Sequence, residues 1–451
     1  METKRLHWTE QLGHVLGGIG HNLIYALMAG YVSIFFTDVF GLDAGFVATL
    51  FLAARVWDAV NDPIMGVICD RTKSRFGHFR CWLLYASPVV AIALALCFTK
   101  LNVPYGWACA FASVVYILLG MSFTAVDIPY WGLPAAMTEN PDERTKLYTV
   151  AGLVATLASG VGAILIPAVV TGFGAGDAAR GYFAAALLLA VLGLALYVAC
   201  FALTRERVRG VQGGDVSLRT SLRAIGRNKP LLILMAASLL GNLAFQIKIA
   251  LNAYYATYAL GSFDYAMWLS ATLLPGMLLG ALLVPGMRKK WGAKKALLFF
   301  NGFGAVVAVA SYFAGYQSVY VCMAFLFLFA IVLGAFTVLI NAMVADTIDY
   351  AELMQGRRSE GTITSMRTFI TKLATALAGS VPLYVMKAAG FTANAVNPPA
   401  VNNTIHLLIS LIPGVAFALS LLPASFYPLD SARMQQIESD LATARAAGEV
   451  Q

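Results

Sequence analysis

Three carboxylates stand inside stretches of sequence that are otherwise apolar: Asp58, Asp62 and Asp127. Four basic side chains do the same: Arg55, Lys248, Arg367 and Lys372. The segment ARVWDAVNDP places Arg55, Asp58 and Asp62 at i, i+3 and i+7, which is one face of a helix. Asn61 follows Asp58 on an adjoining row. Two carboxylates so close repel unless a cation lies between them or one holds a proton. Oxygen from Asp and Asn suits Na⁺, and a protonated carboxyl would serve H⁺ equally. Pro63 lacks the N–H that a helix needs, so the residues predict a weakened helix with freed carbonyls at that point. The plainer reading is a fixed ion pair, in which Arg55 merely locks helices together.

The segment SFTAVDIPYWGLP sets Asp127 and Trp131 one turn apart, with Thr124 a turn before. A carboxylate beside an aromatic ring can hold a sugar, the acid accepting from hydroxyls while the ring packs on C–H faces. Trp131 could equally be an aromatic belt residue at a membrane interface. His14, His21 and Tyr25 share another face, with Asn22 beside His21. A histidine there could simply be hydrogen-bonded packing. Lys248, Asn252 and Tyr255 share a face later in the chain. Thr364, Arg367 and Thr371 share another, next to Thr368 and Lys372. The first half thus carries acidic candidates and the second half basic ones.

What must position these residues is a membrane. Of 451 residues, 59% are hydrophobic and 12% charged, and the mean hydropathy is +0.74. Soluble domains carry roughly 25% charged residues. Apolar stretches follow one another, each long enough to cross a hydrocarbon core of about 30 Å as a helix. Twelve spans are expected: 12–37, 46–69, 81–100, 107–136, 145–171, 181–204, 230–260, 265–287, 296–315, 319–345, 362–388 and 403–427. Within such spans a charge costs roughly 2.5 kcal/mol or more, so the seven charged residues are functional candidates by default.

The basic residues test this layout. With both termini inside, only Lys100, Arg180 and Lys387 of the 31 Lys and Arg fall in outside loops. Apart from the four within spans, the rest lie inside, as the positive-inside rule requires. The net charge of +8 therefore reflects sidedness and gives no reason to expect a nucleic-acid partner. Met1–Glu10 is polar and runs into a full span, so no cleavable leader is expected. The longest inside loop, 205–229, separates six spans from six. It predicts a first bundle at 1–204, a linker at 205–229, a second bundle at 230–427 and a cytoplasmic tail at 428–451. A site between two such halves is the layout of a secondary transporter. A basic turn opened by Gly follows span 2 (GVICDRTKSR) and recurs after span 8 (PGMRKKWGAKK). The six cysteines lack metal or redox spacing and read as small apolar fillers. A membrane-embedded enzyme would need a motif such as HExxH or a nucleophile elbow. Asp58 and Asp62 alone could mimic an aspartyl pair. A lipid transporter would favour a less charged cavity.

The stretches RVWDAVNDPIMG, DRTKSRFGHFRCW, MSFTAVDIPYWGL and MVADTIDYAEL–GRRSEGTITS, in this order, resemble the glycoside–pentoside–hexuronide:cation symporters. The resemblance covers nearly the whole chain. It implies an all-α polytopic membrane protein of major facilitator fold, with twelve transmembrane helices in two six-helix bundles. It also implies a monomer in a bacterial inner membrane that moves a sugar with Na⁺ or H⁺ and uses no other cofactor. Its cation site falls on Asp58, Asp62, Asn61 and Thr124, and its sugar site on Asn22, Asp127, Trp131, Thr368 and Lys372, with Arg367 beside them. His21, Tyr25, Lys248 and Asn252 join that list from their faces. Gly66, Asp70, Arg71 and Arg75 match the superfamily's turn after its second helix, and Asp70, Arg71 and Arg75 are expected to latch with the acidic segment 346–352. The melibiose permease has a Lys-Asp pair where this chain has His21-Asn22, and an Arg where this chain has Gly152. Losing that Asp and gaining Lys248 and Arg367 shifts the cavity toward cations. FQIKIALNAYYATY and the LVPGM…GAKK loop look most like carriers of acidic sugars, so an anionic sugar is expected and a neutral glycoside is the alternative.

Overall fold

The computed structural model describes residues 6–138, 140–207, 226, 228–355 and 360–447, and its regular elements are all helical. The first half holds α1 (Trp8–Ile34), α2 (Ala44–Arg71), α3 (Arg80–Tyr85), α4 (Ser87–Cys97), α5 (Tyr105–Met137), α6 (Pro141–Gly174) and α7 (Ala178–Leu203). The second holds α8 (Lys229–Tyr254), α9 (Tyr265–Trp291), α10 (Ala293–Ala314), α11 (Val319–Gln355), α12 (Glu360–Ala388), α13 (Pro399–Ser425) and α14 (Ser431–Ala447). One turn of π-helix extends α1 over Phe35–Val39, and another extends α8 over Tyr255–Ala259. Each is followed by a glycine in the left-handed region, Gly41 and Gly261. The two halves thus begin with the same device.

Among the described residues, eleven helical stretches are long and apolar enough to cross a membrane. One of them, Arg80–Cys97, joins α3 and α4 across a break at Ala86. The twelfth expected span, α2, is not among the eleven. Its 28 residues are long enough, but Arg55, Asp58, Asp62, Asp70 and Arg71 dilute its apolar character. The helix that fails the hydropathy test is the one that carries the chemistry.

Two compact units emerge. The first comprises Met1–Gly214 with Ser262–Ser270 and Leu383–Asn397; the second comprises Asp215–Gly261, Ala271–Pro382 and Pro398–Gln451. Ser262–Ser270 and Leu383–Asn397 are thus grouped with the first unit although they follow position 230 in the sequence. In the first unit α1 packs on α6 and α7, α4 on α5 and α7, and α2 on α5. In the second, α13 packs on α8 and α10, and α11 on α8, α10 and α14. There α9 and α11 approach backbone to backbone. A Cβ on Gly280 would sit 1.9 Å from the Ile331 carbonyl oxygen, and one on Gly334 would sit 2.0 Å from that of Met277. Small residues serve this purpose in membranes, where apolar faces gain nothing by leaving lipid.

Pro63 lies within α2, which runs from Ala44 to Arg71. In the tail, Leu429, Met434, Ile437 and Leu441 join the apolar core of the second unit. Met434, Ile437 and Leu441 are spaced i, i+3, i+7, one stripe of the otherwise polar α14. Most of the expected linker, 208–225 and 227, lies outside the described residues.

Candidate functional site

Helices α2 and α5 carry the cation candidates in matched register. Asp58 Oδ1 lies 3.5 Å from where a Cβ on Gly120 would stand. One turn on, the Thr124 hydroxyl donates to Asp62 Oδ1 at 3.2 Å. Arg55 Nη1 donates to Asp58 Oδ2 at 3.0 Å, with both side chains largely buried. The pairing relieves the repulsion between the two carboxylates, since it neutralises one of them. Asn61 Nδ2 is buried with no hydrogen-bond partner. An amide turned over at this point would present its oxygen there instead. Asp58, Asp62 and Thr124 thus bring side-chain oxygens together on two facing helices, the kind of atom a hard cation prefers.

A second cluster forms where α1, α5 and α7 meet. His21 Nε2 lies 3.2 Å from Asp127 Oδ1, and His21 Nδ1 lies 3.0 Å from the Tyr197 hydroxyl. Its ring stacks between Phe123, at 4.7 Å, and Tyr130, at 5.4 Å. Tyr25 stacks beyond Phe123, and His14 beyond Tyr130. Rings from α1 and α5 therefore alternate, because both helices place aromatic groups at intervals of one or two turns. Tyr130 fits because Gly18 has no side chain: a Cβ there would stand 2.4 Å from the Tyr130 hydroxyl. Asp127 keeps 22% of its side chain exposed, while His21 keeps 6%. Trp131 is exposed and meets Tyr130 edge-on. Asn22 is buried and its Nδ2 donates to the Gly18 carbonyl at 2.8 Å, which leaves its oxygen for other uses.

The basic candidates lie in the second unit. Lys248 is buried, with its ammonium 4.5 Å from the centre of the Phe329 ring. Arg367 Nη1 donates to Asn341 Oδ1 at 2.6 Å. Among the described residues neither cation has a carboxylate partner. Asn252 is buried, Lys372 half-buried and Thr368 exposed. Tyr255, on the Lys248 face, bonds His406 Nδ1 and Cys322 Sγ.

Asp70, Arg71 and Arg75 are the residues expected to form a latch. Arg71 and Arg75 are exposed, Arg75 lies over Phe76, and neither forms an ion pair among the described residues. Asp70's side chain lies outside the described ones, as does that of Thr364. Asp346 pairs with Arg288 of its own unit at 2.9 Å.

Three residues escaped the sequence reading. Tyr197 sits in an apolar span and offers only a hydroxyl. Asn341 belongs to another such span. Glu206 accepts from the backbone N–H groups of His78, Phe79 and Arg80 at 2.7–2.8 Å and so fixes the turn after α2. Its carboxylate was hidden in a loop where charge is ordinary. A mid-span Tyr facing a mid-span His was the one signal available.

Residues 13–431 match the family described as MFS/sugar transport protein. The chain is 32% identical to the isoprimeverose transporter of Lactiplantibacillus pentosus, covering 94% of this chain and 89% of that protein. It is also 32% identical to a putative sulfoquinovose importer of Salmonella typhimurium strain LT2, covering 99% and 95%. The crystal structure of a D-xylose–proton symporter aligns with a TM-score of 0.64 at 16% identity, over 94% of this chain and 98% of that one. That likeness establishes the fold.

Proposed function

This chain belongs to the MFS/sugar transport protein family, and from that premise we propose that it couples the entry of an anionic sugar to a cation by alternating access. It is a multi-pass membrane protein and a transporter, so the work lies in binding rather than covalent chemistry. Asp58, Asn61, Asp62 and Thr124 hold the coupling ion, Na⁺ or H⁺. The carrying observation is their convergence from α2 and α5, with Thr124 on Asp62 and a buried Asn61 amide left unpartnered. The sugar ring meets Asp127 and Trp131, and its acidic group meets Arg367, Lys372 and Lys248. The chain works as a monomer with both termini in the cytoplasm of a bacterial cell.

The second unit supports a charged substrate. A buried cation without a carboxylate is costly. A uronate or sulfonate would relieve that cost, and the free edge of Arg367 offers a planar fork for it. A thermal-shift screen of neutral glycosides, uronates and sulfo-hexoses, each with and without Na⁺, tests the reading. A ligand at one hundred times its Kd stabilises the folded state by about 2.7 kcal/mol. The acid should raise Tm and its uncharged analogue should not. Equal shifts for both would leave the neutral glycoside reading, which the exposed carboxylate of Asp127 favours.

A further inference from the structure

We infer that His21 and Asp127 form a proton-binding site that fills together with the substrate, in addition to the cation site at Asp58 and Asp62. The choice of an acidic substrate rests on the proposed function; the existence of the proton site does not.

The imidazole is held at both nitrogens. With Asp127 at Nε2 and the Tyr197 hydroxyl at Nδ1, a neutral ring donates from Nε2 to the carboxylate and accepts at Nδ1 from the hydroxyl. Adding a proton at Nδ1 makes both nitrogens donors. Tyr197 then needs only to rotate its O–H and accept. No heavy atom moves, so the pocket accommodates both protonation states. The ring cannot swing away, because Phe123 and Tyr130 stack on its two faces. The added charge is therefore delivered to Asp127.

The groups around the ring leave Asp127 as its electrostatic partner. On α1, Tyr25 and His14 lie beyond the flanking rings. From α5 come Asp127 and Tyr130, and from α7 come Tyr197 and, nearer Gly17, Cys200. Helix α6 packs Val154 and Gly162 against α1. Among the described residues Asp127 is the one carboxylate on this ring; His14 lies across Tyr130, and Arg55, which interacts with Tyr25, is paired with Asp58. An ordinary imidazole changes charge between pH 5 and 8. The membrane side that opens to water supplies the proton, which comes to rest on Nδ1 and leaves by the same route; no other bond changes.

The consequence concerns charge at the sugar site. Beside a neutral imidazole, Asp127 presents a full negative charge and repels an anion. Beside an imidazolium, that charge is cancelled. Proton binding and acid binding then favour each other, and the coupling is reciprocal. Histidine is suited to this role at position 21, since a lysine would hold its charge throughout the neutral range.

The test uses the purified full chain with glucuronic acid and with methyl glucoside. In weak buffer at pH 7.5 to 8, with a pH indicator, binding of the acid should draw up to about one proton per site from solution, since the two bindings favour each other. His21→Asn should abolish that uptake. Tyr197→Phe, which keeps the ring stack, should retain the uptake but shift the pH at which it is largest. Histidine side-chain NMR, assigned with His21→Asn, reports the ring directly and should show it becoming charged as the acid binds. Acid binding with no proton uptake and an unchanged His21 ring overturns the proton site and leaves the anionic reading standing. If only the glucoside binds, the anionic reading fails. In that case a change in the His21 ring on binding sustains the proton site, and an unchanged ring overturns it as well.

Discussion

The two units hold their buried charges in opposite ways. In the first, carboxylates are met from within: Arg55 pairs with Asp58, Thr124 bonds Asp62, and His21 meets Asp127. In the second, Lys248 rests on the face of Phe329 and Arg367 on the amide of Asn341. Cation–π and amide contacts soften a buried positive charge but do not neutralise it. Arg55 of the first unit has a carboxylate partner; among the described residues Lys248 and Arg367 of the second have none. A symporter needs that asymmetry if the cation and the acidic solute are to bind at separate places and still depend on each other.

The sharpest break of this comparison removes the first unit's oxygen ligands. Asp62→Asn should abolish concentrative uptake, because it removes the charge of a carboxylate that Thr124 of the facing helix meets and that is assigned to the cation. Asp58→Asn should do the same and should also strand Arg55, costing about 3–5 kcal/mol of stability as broken buried pairs do. Counterflow, which needs no gradient, should survive partly in Asp62→Asn. Accumulation of substrate against its gradient by both variants would mean the ion binds elsewhere.

In the second unit, Arg367→Ala should weaken binding of an acidic sugar by about 10–100-fold, the equivalent of one charged hydrogen-bonded contact. Its uncharged analogue should change by less than about threefold, since what is lost is charge recognition. Equal losses for both ligands, measured by calorimetry, would make Arg367 a packing residue. Lys248→Met probes the same asymmetry by stability. Removing a buried ammonium that has no carboxylate should leave the empty protein equally stable or raise its Tm. A large drop in Tm would mean that the Phe329 contact matters structurally on its own.

A smaller difference separates two polar anchors, one in each unit. The first unit fixes its turn with Glu206 on three backbone N–H groups, while the second uses the side-chain pair Arg288–Asp346. Backbone donors cannot move to find another partner, but an exposed arginine can. Glu206→Ala should therefore cost on the order of 2 kcal/mol, and Arg288→Ala about 1 kcal/mol or less. Detergent unfolding monitored by CD would rank the two, and the reverse order would count against the argument.

These contrasts explain what the sequence disclosed. Asp58, Asp62 and Asp127 stood out because a charge in an apolar run is costly and therefore conspicuous. The register of α2 on α5 could not be read, yet it brings Thr124 to Asp62. Tyr197 was invisible because tyrosine is common in membrane helices and its partner lies 176 residues away. Glu206 was invisible for the opposite reason, since its loop is charged anyway. The π turns after α1 and α8 leave no periodicity to detect in five residues. The fold was largely legible because lipid permits so few solutions.

The mildest test concerns a tether inside the first unit. Lys387 Nζ lies 2.5 Å from Asp43 Oδ1 and ties the segment Leu383–Asn397 to the start of α2. The hydrogen bond from Lys387 is the main reason the Asp43 carboxyl is held below its usual range. Slight burial opposes this, while the N–H groups of Phe46 and Gly45, which Asp43 caps, add to it. A carboxylate whose value is lower in the folded chain than in the unfolded one stabilises fully above the unfolded value. That contribution fades as pH falls through the folded value. The tether should therefore loosen in acid and be indifferent between pH 6 and 8. Both side chains are about half exposed, so solvent and salt keep the effect small. Hydrogen exchange across 383–397, corrected for intrinsic rates, should rise as pH drops from 5 to 3 in the unmutated chain. Asp43→Asn keeps a capping side chain but loses the ion pair. It should show the raised exchange already at pH 6 and little further change in acid. Exchange that is the same in both chains at pH 6 would show that the segment is held by its other contacts, such as Thr49 to Tyr384, and not by the pair.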